Sequence, residues 1–92
     1  LLLKGPQSLV VGGGSPEVWI NDTGHWGLAT GGTGDLLAGM VAGLRAQGVP
    51  PREAAASAAW LHGTCADRLG RGPLMVRDLV AELPHLLREC HA

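Results

Sequence analysis

A glycine-rich segment just before the first helical pattern carries the residues best suited to chemistry. It reads Gly24-His25-Trp26-Gly27-Leu28-Ala29-Thr30-Gly31-Gly32-Thr33-Gly34-Asp35. Such a segment can present several backbone N–H groups at the positive end of a helix dipole, where they bind phosphate oxygens. Glycines also allow a phosphate to approach within hydrogen-bond distance of the backbone. The segment therefore predicts a phosphate site.

The carboxylate of Asp35 distinguishes this segment from a simple anion site. A negative charge repels a neighbouring phosphate, so a simple anion site would not include Asp35. Its presence favours the interpretation that the carboxylate is a base, which accepts the proton of a hydroxyl group as the hydroxyl oxygen attacks phosphorus. The competing interpretation is that Asp35 only stabilises the helix start, by about 0.5–1 kcal/mol. The spacing alone leaves both open. A P-loop is excluded because no Lys-Ser or Lys-Thr follows the glycines, and Leu37 stands where a dinucleotide fingerprint needs its third glycine.

Three short apolar runs precede this segment and predict strands. They are Leu1–Leu3, Ser8–Val11 and Glu17–Ile20. The second and third runs are joined by a Gly- and Pro-rich connection, which is typical of a β-hairpin. Lys4 follows the first run, a position at which α/β sheets often place a residue that contacts a ligand.

Three helical patterns follow the segment. The first is predicted to run from Asp35 to just before Gly48, the second from Pro51 to just before Gly70, and the third from Val76 to Cys90. We expect a kink or break in the third helix at Pro84. We predict that the following residues form the buried stripes of the helices: Leu37, Met40, Val41, Leu44, Ala55, Ala58, Ala59, His62, Cys65, Ala66, Leu69, Val76, Leu79, Val80, Leu83, Leu86, Leu87 and Cys90.

Two further features give packing expectations. Gly39 and Gly43 lie four residues apart on the first helix, where each costs about 1 kcal/mol relative to Ala, so a close-packed neighbour is expected. Trp19 and Trp60 are interpreted as core residues. His62 and Cys65 lie one turn apart, but no second pair completes a metal site, so helix packing is the favoured interpretation and no metal ligands are assigned.

The composition limits the classes of function. The chain has 92 residues, of which 46% are hydrophobic and 16% charged, and a net charge of −1. This hydrophobic share favours a folded chain, and the absence of a basic patch argues against a nucleic acid or an acidic membrane surface as partner. No apolar run reaches the roughly 20 residues of a membrane span. The two cysteines fit no disulfide framework, so an intracellular location is expected.

The glycine-rich segment also resembles a known family. Ala29-Thr30-Gly31-Gly32-Thr33-Gly34-Asp35-Leu36-Leu37-Ala38-Gly39 is similar to the signature of the ADP-dependent NAD(P)H-hydrate dehydratases, of the ribokinase-like superfamily. Four other parts of the chain agree with it: Leu3-Lys4-Gly5, Asn21 to Gly24, Leu61-His62-Gly63, and Asp78-Leu79 with Leu83-Pro84. The resemblance covers essentially the whole chain. It implies an α/β fold in which residues 1–92 form one partial domain, the C-terminal fragment of a ribokinase-like three-layer domain.

The resemblance implies a role for particular residues. Asp35 would be the catalytic residue and would face the reacting hydroxyl of the substrate. Residues implied to bind the nucleotide are Lys4, Gly5, Pro6, Gln7, Ser8 and Gly34, and those implied to form the phosphate loop are Gly31, Gly32 and Thr33. The family's Asn-Pro-Gly-Met is replaced by His25-Trp26-Gly27-Leu28 in this sequence.

The implied activity is that of a lyase that repairs nicotinamide nucleotides. Phosphoryl transfer from ADP (or ATP) to the hydroxyl of NADH or NADPH hydrate, with Mg²⁺ as a cofactor, would be followed by elimination of phosphate and release of AMP. We expect a cytoplasmic homo-oligomer, since the family commonly forms tetramers. The 92 residues in isolation are expected to be inactive. Two alternatives remain at this point: a small-molecule kinase of the same superfamily, and a non-catalytic nucleotide-binding module.

Overall fold

The structure, a computed structural model, describes residues 2–3, 8–12, 15–21, 23–24, 32–70, 72 and 74–91. Within these residues the elements follow one another as β1 (Leu2–Leu3), β2 (Ser8–Gly12), β3 (Ser15–Asn21), α1 (Thr33–Ala46), α2 (Pro51–Leu69) and α3 (Val76–His91). This order of short strands followed by three helices agrees with the sequence prediction.

The strands form one antiparallel sheet in the order β1-β2-β3. β2 and β3 pair as the predicted hairpin, with Leu9 opposite Ile20 and a register shift between Val10 and Gly12. β1 is antiparallel to β2, with Leu3 opposite Leu9. Because β1 and β3 therefore run in the same direction, the end of β1, the start of β2 and the end of β3 lie at one edge of the sheet.

Glycine and proline determine the limits of α1 and α2. α1 begins two residues earlier than predicted, because Gly32 at φ 89° forms its N-cap and accepts the first helical hydrogen bond from the Leu36 N–H at 3.1 Å. α2 begins at Pro51, whose fixed φ suits a first helical residue, and is followed by Gly70 at φ 88°. These limits of α2 agree with the prediction.

α3 begins at Val76 and has half of a capping box. The Met75 N–H donates to Oδ2 of Asp78 at 3.1 Å, so a side chain from the first turn satisfies the N–H that precedes the helix. The helix continues to His91 through Pro84, which is exposed. Of the kink or break expected at Pro84, the break is wrong and the kink stays a prediction. An exposed proline ring lies on the outer side of a helix, where a missing hydrogen bond disturbs the packing least.

α2 is the central element of the described structure, since it packs on β2, β3, α1 and α3. Its buried face consists largely of small residues, which allow its neighbours to approach closely. The buried residues of α2 are Arg52, Ala54, Ala55, Ala58, Ala59, His62, Gly63, Cys65 and Ala66. A core cluster of Cys65, Ala66, Leu74, Leu79 and Leu86 joins α2 to α3, and Leu36 of α1 packs against it.

Some residues predicted to be buried are exposed. Trp60 is 43% exposed, and Leu69, Val80 and Cys90 also lie outside the core. Trp60 follows Ala59, whose carbonyl faces β3, and one residue along a helix turns a side chain by about 100°. The core prediction for Trp60 is therefore wrong, because the sheet packs on the adjacent face of α2. Trp19 is half-buried.

The glycines of α1 have no close neighbour among the described residues. A Cβ added at Gly39 or Gly43 would meet nothing within 4 Å. The expected close packing is instead found at Gly63 of α2, where an added Cβ would collide with Thr23. The sequence pattern identified glycines on a helix but not the helix face that the chain approaches.

Candidate functional site

The end of β3, the last turns of α2 and the first turns of α1 and α3 meet at one end of the molecule. The Gly24 N–H, just after β3, donates to Oδ2 of Asp67 in α2 at 3.0 Å. A Cβ added at Gly32 would lie 2.7 Å from Cγ2 of Val76, so the start of α1 lies against the start of α3. The sequence from Gly24 to Gly32 therefore begins and ends at this end of the molecule.

Asp35 lies in the first turn of α1, as its third residue. Its side chain is exposed. Asp35 still benefits from the helix dipole, because a negative charge is favourable in a first turn. The Asp35 carboxylate is therefore exposed at the helix start, where both stabilisation of the helix and contact with a ligand are compatible with its position.

Gly34, the residue before Asp35, presents backbone to solvent. It is exposed, and an added Cβ would meet nothing within 4 Å among the residues described. Its N–H belongs to the first turn of α1, where N–H groups have no partner within the helix. Together, Gly34 and Asp35 place an open amide and an open carboxylate side by side, as phosphate binding next to a base requires.

Gly32, like Gly24 at the start of the same segment (φ 97°), has a backbone conformation that requires glycine. Its φ of 89° lies in the left-handed region that other residues rarely adopt. The close approach of Val76 adds a second reason, because any side chain at this position would collide with it. Gly32 therefore fixes the angle at which the chain enters α1.

The chain after β3 is tied to α2 by side chains. Nδ2 of Asn21 donates to the Ala59 carbonyl at 3.3 Å, and Oγ1 of Thr23 donates to Oδ1 of Asn21 at 2.9 Å. With the bond from Gly24 to Asp67, these contacts hold the strand end along α2. In the sequence, the segment from Asn21 to Gly24 is marked only by the family resemblance, which implies no role for it.

The predicted site residues are only partly covered by the structure. Gly32, Thr33, Gly34 and Asp35 are brought together at the start of α1, and Ser8 opens β2 at the edge of the sheet where β3 ends. Lys4, Gly5, Pro6, Gln7 and Gly31 lie outside the described residues, as do His25 and Trp26. The roles implied for all of these residues stay predictions.

Two charged residues that contact the sheet or its end, Arg52 and Asp67, have no predicted role from the sequence. Arg52 is 6% exposed, and its guanidinium lies 4.3 Å from the ring centre of Trp19, a cation–π contact between α2 and β3. Asp67 accepts the Gly24 N–H. No local pattern marks either residue, since each is one charged residue of a helix surface until the strand packs against it.

His62 and Cys65 pack in the helical layer, as the favoured interpretation stated. Both are buried and line a small cleft with Leu36, Leu79 and Leu83. Burial, followed by the negative charge of Glu82, raises the pKa of the Cys65 thiol. Among the described residues no three His, Cys, Asp or Glu side chains are grouped so that they could hold a metal ion. No described helix is long and apolar enough to cross a membrane.

The described residues form a small antiparallel sheet and three helices, and an open carboxylate lies at a helix start that follows a glycine. This helix start is a candidate phosphate site. The sequence model of the NAD(P)H-hydrate dehydratase family matches residues 1–85. The chain therefore belongs to the NAD(P)H-hydrate dehydratase family, and the resemblance found in the sequence is confirmed.

Individual relatives agree with this membership. A bifunctional NAD(P)H-hydrate repair enzyme of Moorella thermoacetica is 45% identical over 96% of this chain. An ADP-dependent (S)-NAD(P)H-hydrate dehydratase of Neisseria meningitidis is 49% identical over 88% of it. The crystal structure of a hypothetical protein from Streptococcus mutans superposes on 96% of the chain with a TM-score of 0.84 and 33% identity.

The chain corresponds to only a part of each of these proteins. It spans 17% of the Moorella enzyme, 27% of the Neisseria enzyme and 32% of the Streptococcus structure. The chain therefore corresponds to a portion of a longer protein in each of these relatives.

Proposed function

We propose that this chain provides the base and part of the phosphate site for ADP-dependent dehydration of NAD(P)H hydrate to NAD(P)H. Membership of the dehydratase family supports the reaction. The relative from Neisseria, named as ADP-dependent and acting on the S form of the hydrate, supports the nucleotide and the substrate. The alternatives of a small-molecule kinase and a non-catalytic module have no comparable support.

The observation that carries the proposal is the open pair formed by Gly34 and Asp35 in the first turn of α1. Transferring a phosphoryl group to a hydroxyl requires a group that accepts the hydroxyl proton and donors that stabilise the charge on the phosphate oxygens. The exposed carboxylate of Asp35 supplies the first. The free N–H groups and positive dipole end of the helix start supply the second.

The chemistry follows from these two groups. Asp35 accepts the proton of the hydrate hydroxyl as its oxygen attacks the terminal phosphorus of ADP, and the bond from that phosphorus to AMP breaks. The phosphorylated oxygen is then a better leaving group than hydroxide. Elimination of phosphate, with loss of a proton from the adjacent ring carbon, forms the ring double bond and restores the nicotinamide ring, and AMP and phosphate are released. The helix start holds the transferred group while the proton moves to Asp35.

ADP is the proposed phosphoryl donor, ATP is the alternative donor, and Mg²⁺ is the proposed metal cofactor of the nucleotide. The residues described offer a single open carboxylate at this place, Asp35, and no cluster of ligands. This donor set fits Mg²⁺, which is usually held by phosphates, water and one or two carboxylates instead of a protein cage. When bound, Mg²⁺ would neutralise charge on the phosphates.

The wider setting is also proposed. The relatives are three to six times longer than the part matched here, which supports the proposal that this chain is a fragment of a longer domain. We take that domain to be ribokinase-like with three layers, as the family resemblance implies. Within such a domain the edge of the sheet where β1 and β3 end would face the nucleotide. We also propose that the full-length protein is a cytoplasmic homo-oligomer and that the 92 residues alone are inactive.

The test is Asp35→Asn in the full-length protein. This substitution keeps the shape of the side chain and removes its charge, so kcat for NAD(P)H hydrate should fall by about 100-fold or more while the affinity for ADP changes little. Glu53→Gln is the matched control, because Glu53 is also an exposed acidic residue in the first turn of a helix. It should leave kcat unchanged.

Three results would contradict the proposal. Near wild-type turnover of Asp35→Asn would reduce Asp35 to a helix-stabilising residue. A phosphorylated alcohol as the final product would identify a kinase. Binding of ADP without any turnover by the wild-type protein would identify a binding module.

A further inference from the structure

Three successive turns of α2 hold the chain that leads into the glycine-rich segment. Ala59 accepts a hydrogen bond from Asn21, Gly63 is covered by Thr23, and Asp67 accepts the Gly24 N–H. Residues four apart lie on one face of a helix, so a single face of α2 contacts the end of β3 and the residues that follow it, in chain order. The family features around Asn21 and around Gly63 are thereby explained as two sides of one contact.

Gly63 is required for this contact. A Cβ at position 63 would lie 2.7 Å from the carbonyl carbon and oxygen of Thr23, a distance that real side chains do not show. The absence of a side chain lets the backbone of Thr23 lie directly on α2. Gly24, the next residue, is thus brought within hydrogen-bond distance of Asp67 one turn further along.

Asp67 stands where a negative charge does not favour the helix. It lies in the last turn of α2, at the negative end of the helix dipole, where acidic residues are destabilising. A helix-stabilising role therefore does not explain this residue. Its carboxylate instead accepts the Gly24 N–H at 3.0 Å, and hydrogen bonds to an ionised acceptor are stronger than neutral ones.

We propose that Asp67 is a positioning residue for the candidate site, because it fixes the point at which the chain enters the glycine-rich segment. This inference rests on the proposed function and assigns Asp67 no contact with the substrate. Gly24 is held on α2 by Asp67, and Gly32, eight residues later, is held against Val76 of α3. Asp67 thus controls one end of the segment whose other end places Asp35.

The experiment compares Asp67→Ala, Asp67→Asn and the control Glu53→Gln in the full-length protein. Alanine removes the acceptor, whereas asparagine keeps a neutral acceptor, Oδ1, for the same N–H. Glu53→Gln removes a charge from the opposite end of α2. Three quantities are measured: the exchange rate of the Gly24 amide hydrogen, the melting temperature, and kcat and KM for ADP with NAD(P)H hydrate.

For Asp67→Ala we expect faster exchange at Gly24 and kcat/KM lowered about 10- to 100-fold, the range expected for losing a hydrogen bond to a charged group. The melting temperature should change little, because the loss of this bond is offset by removal of a negative charge from the negative end of the helix and by the higher helix propensity of alanine. Asp67→Asn should recover a substantial part of kcat/KM. Glu53→Gln should leave the exchange rate at Gly24 and both kinetic constants at wild-type values, and it should lower the melting temperature slightly because a negative charge in a first turn is favourable. A merely structural role predicts a lower melting temperature with kcat and KM unchanged.

The outcomes separate this inference from the proposed function. Wild-type kcat/KM and wild-type exchange at Gly24 in Asp67→Ala would overturn the inference while leaving the dehydratase activity established. If the wild-type protein binds ADP but does not dehydrate the hydrate, the proposed function fails. In that case faster exchange at Gly24 and weaker binding of ADP by Asp67→Ala would still support the positioning role, and unchanged values would overturn it.

Discussion

Gly63→Ala tests the contact between the strand end and α2 directly. In an ordinary helix interior, replacing Gly by Ala stabilises the protein by about 0.8–1 kcal/mol, because alanine has the higher helix propensity. Gly63 is buried, and its added methyl group would lie 2.7 Å from the carbonyl carbon and oxygen of Thr23. The structure therefore predicts the opposite sign.

The magnitude follows from what must move. Nonbonded carbon atoms prefer a separation of about 3.5–4.0 Å, so the backbone of Thr23 has to retreat by about 1 Å. Overpacking of this kind costs about 1–3 kcal/mol, and losing the Thr23–Asn21 hydrogen bond adds about 1 kcal/mol. After the gain in helix propensity is subtracted, the net destabilisation is about 1–3 kcal/mol.

The assay is thermal unfolding of the full-length protein, with Gly39→Ala as the control. Gly39 is an exposed helical glycine whose added Cβ would meet nothing within 4 Å in the part of the chain described, so this variant should be as stable as the wild type or more stable. We expect Gly63→Ala to lower Tm by roughly 3–10 °C. A Tm equal to that of Gly39→Ala would refute the reasoning, because it would mean that Thr23 does not lie on α2.

Three further outcomes are expected. Gly34→Val should weaken ADP binding by about 1–3 kcal/mol in calorimetry with little loss of fold, because the helix has open space at this position. Mass spectrometry should find that exposed Cys90 is alkylated long before buried Cys65 in the native protein. Because burial raises the pKa of the Cys65 thiol, this thiol loses its proton at lower pH in the unfolded chain than in the folded one. Cys65 should therefore lower the free energy of unfolding as pH rises above about 9. Asp78→Ala should cost about 0.5–2 kcal/mol in urea unfolding through loss of the bond from the Met75 N–H, and an unchanged midpoint would show that this bond contributes nothing.

The sequence alone determined the elements and the centre of the candidate site. Short apolar runs on either side of a Gly- and Pro-rich turn predicted the hairpin of β2 and β3, and Pro51 with Gly70 predicted the limits of α2. The glycines before Asp35 predicted an open helix start. These features are local, since turn chemistry, helix period and capping depend on residues within a few positions of one another.

Only the tertiary structure decided which helix face receives the sheet. Trp60 is exposed while Arg52 is buried beneath Trp19, the reverse of what their polarity suggests. Close packing at a glycine occurs at Gly63 and not on α1, and Asp67 acquires its partner only because β3 ends beside it. The physical reason is that a side chain's burial and partners depend on which surfaces meet across the chain. Residues 43 positions apart in sequence, such as Gly24 and Asp67, carry no local signal that they will be neighbours.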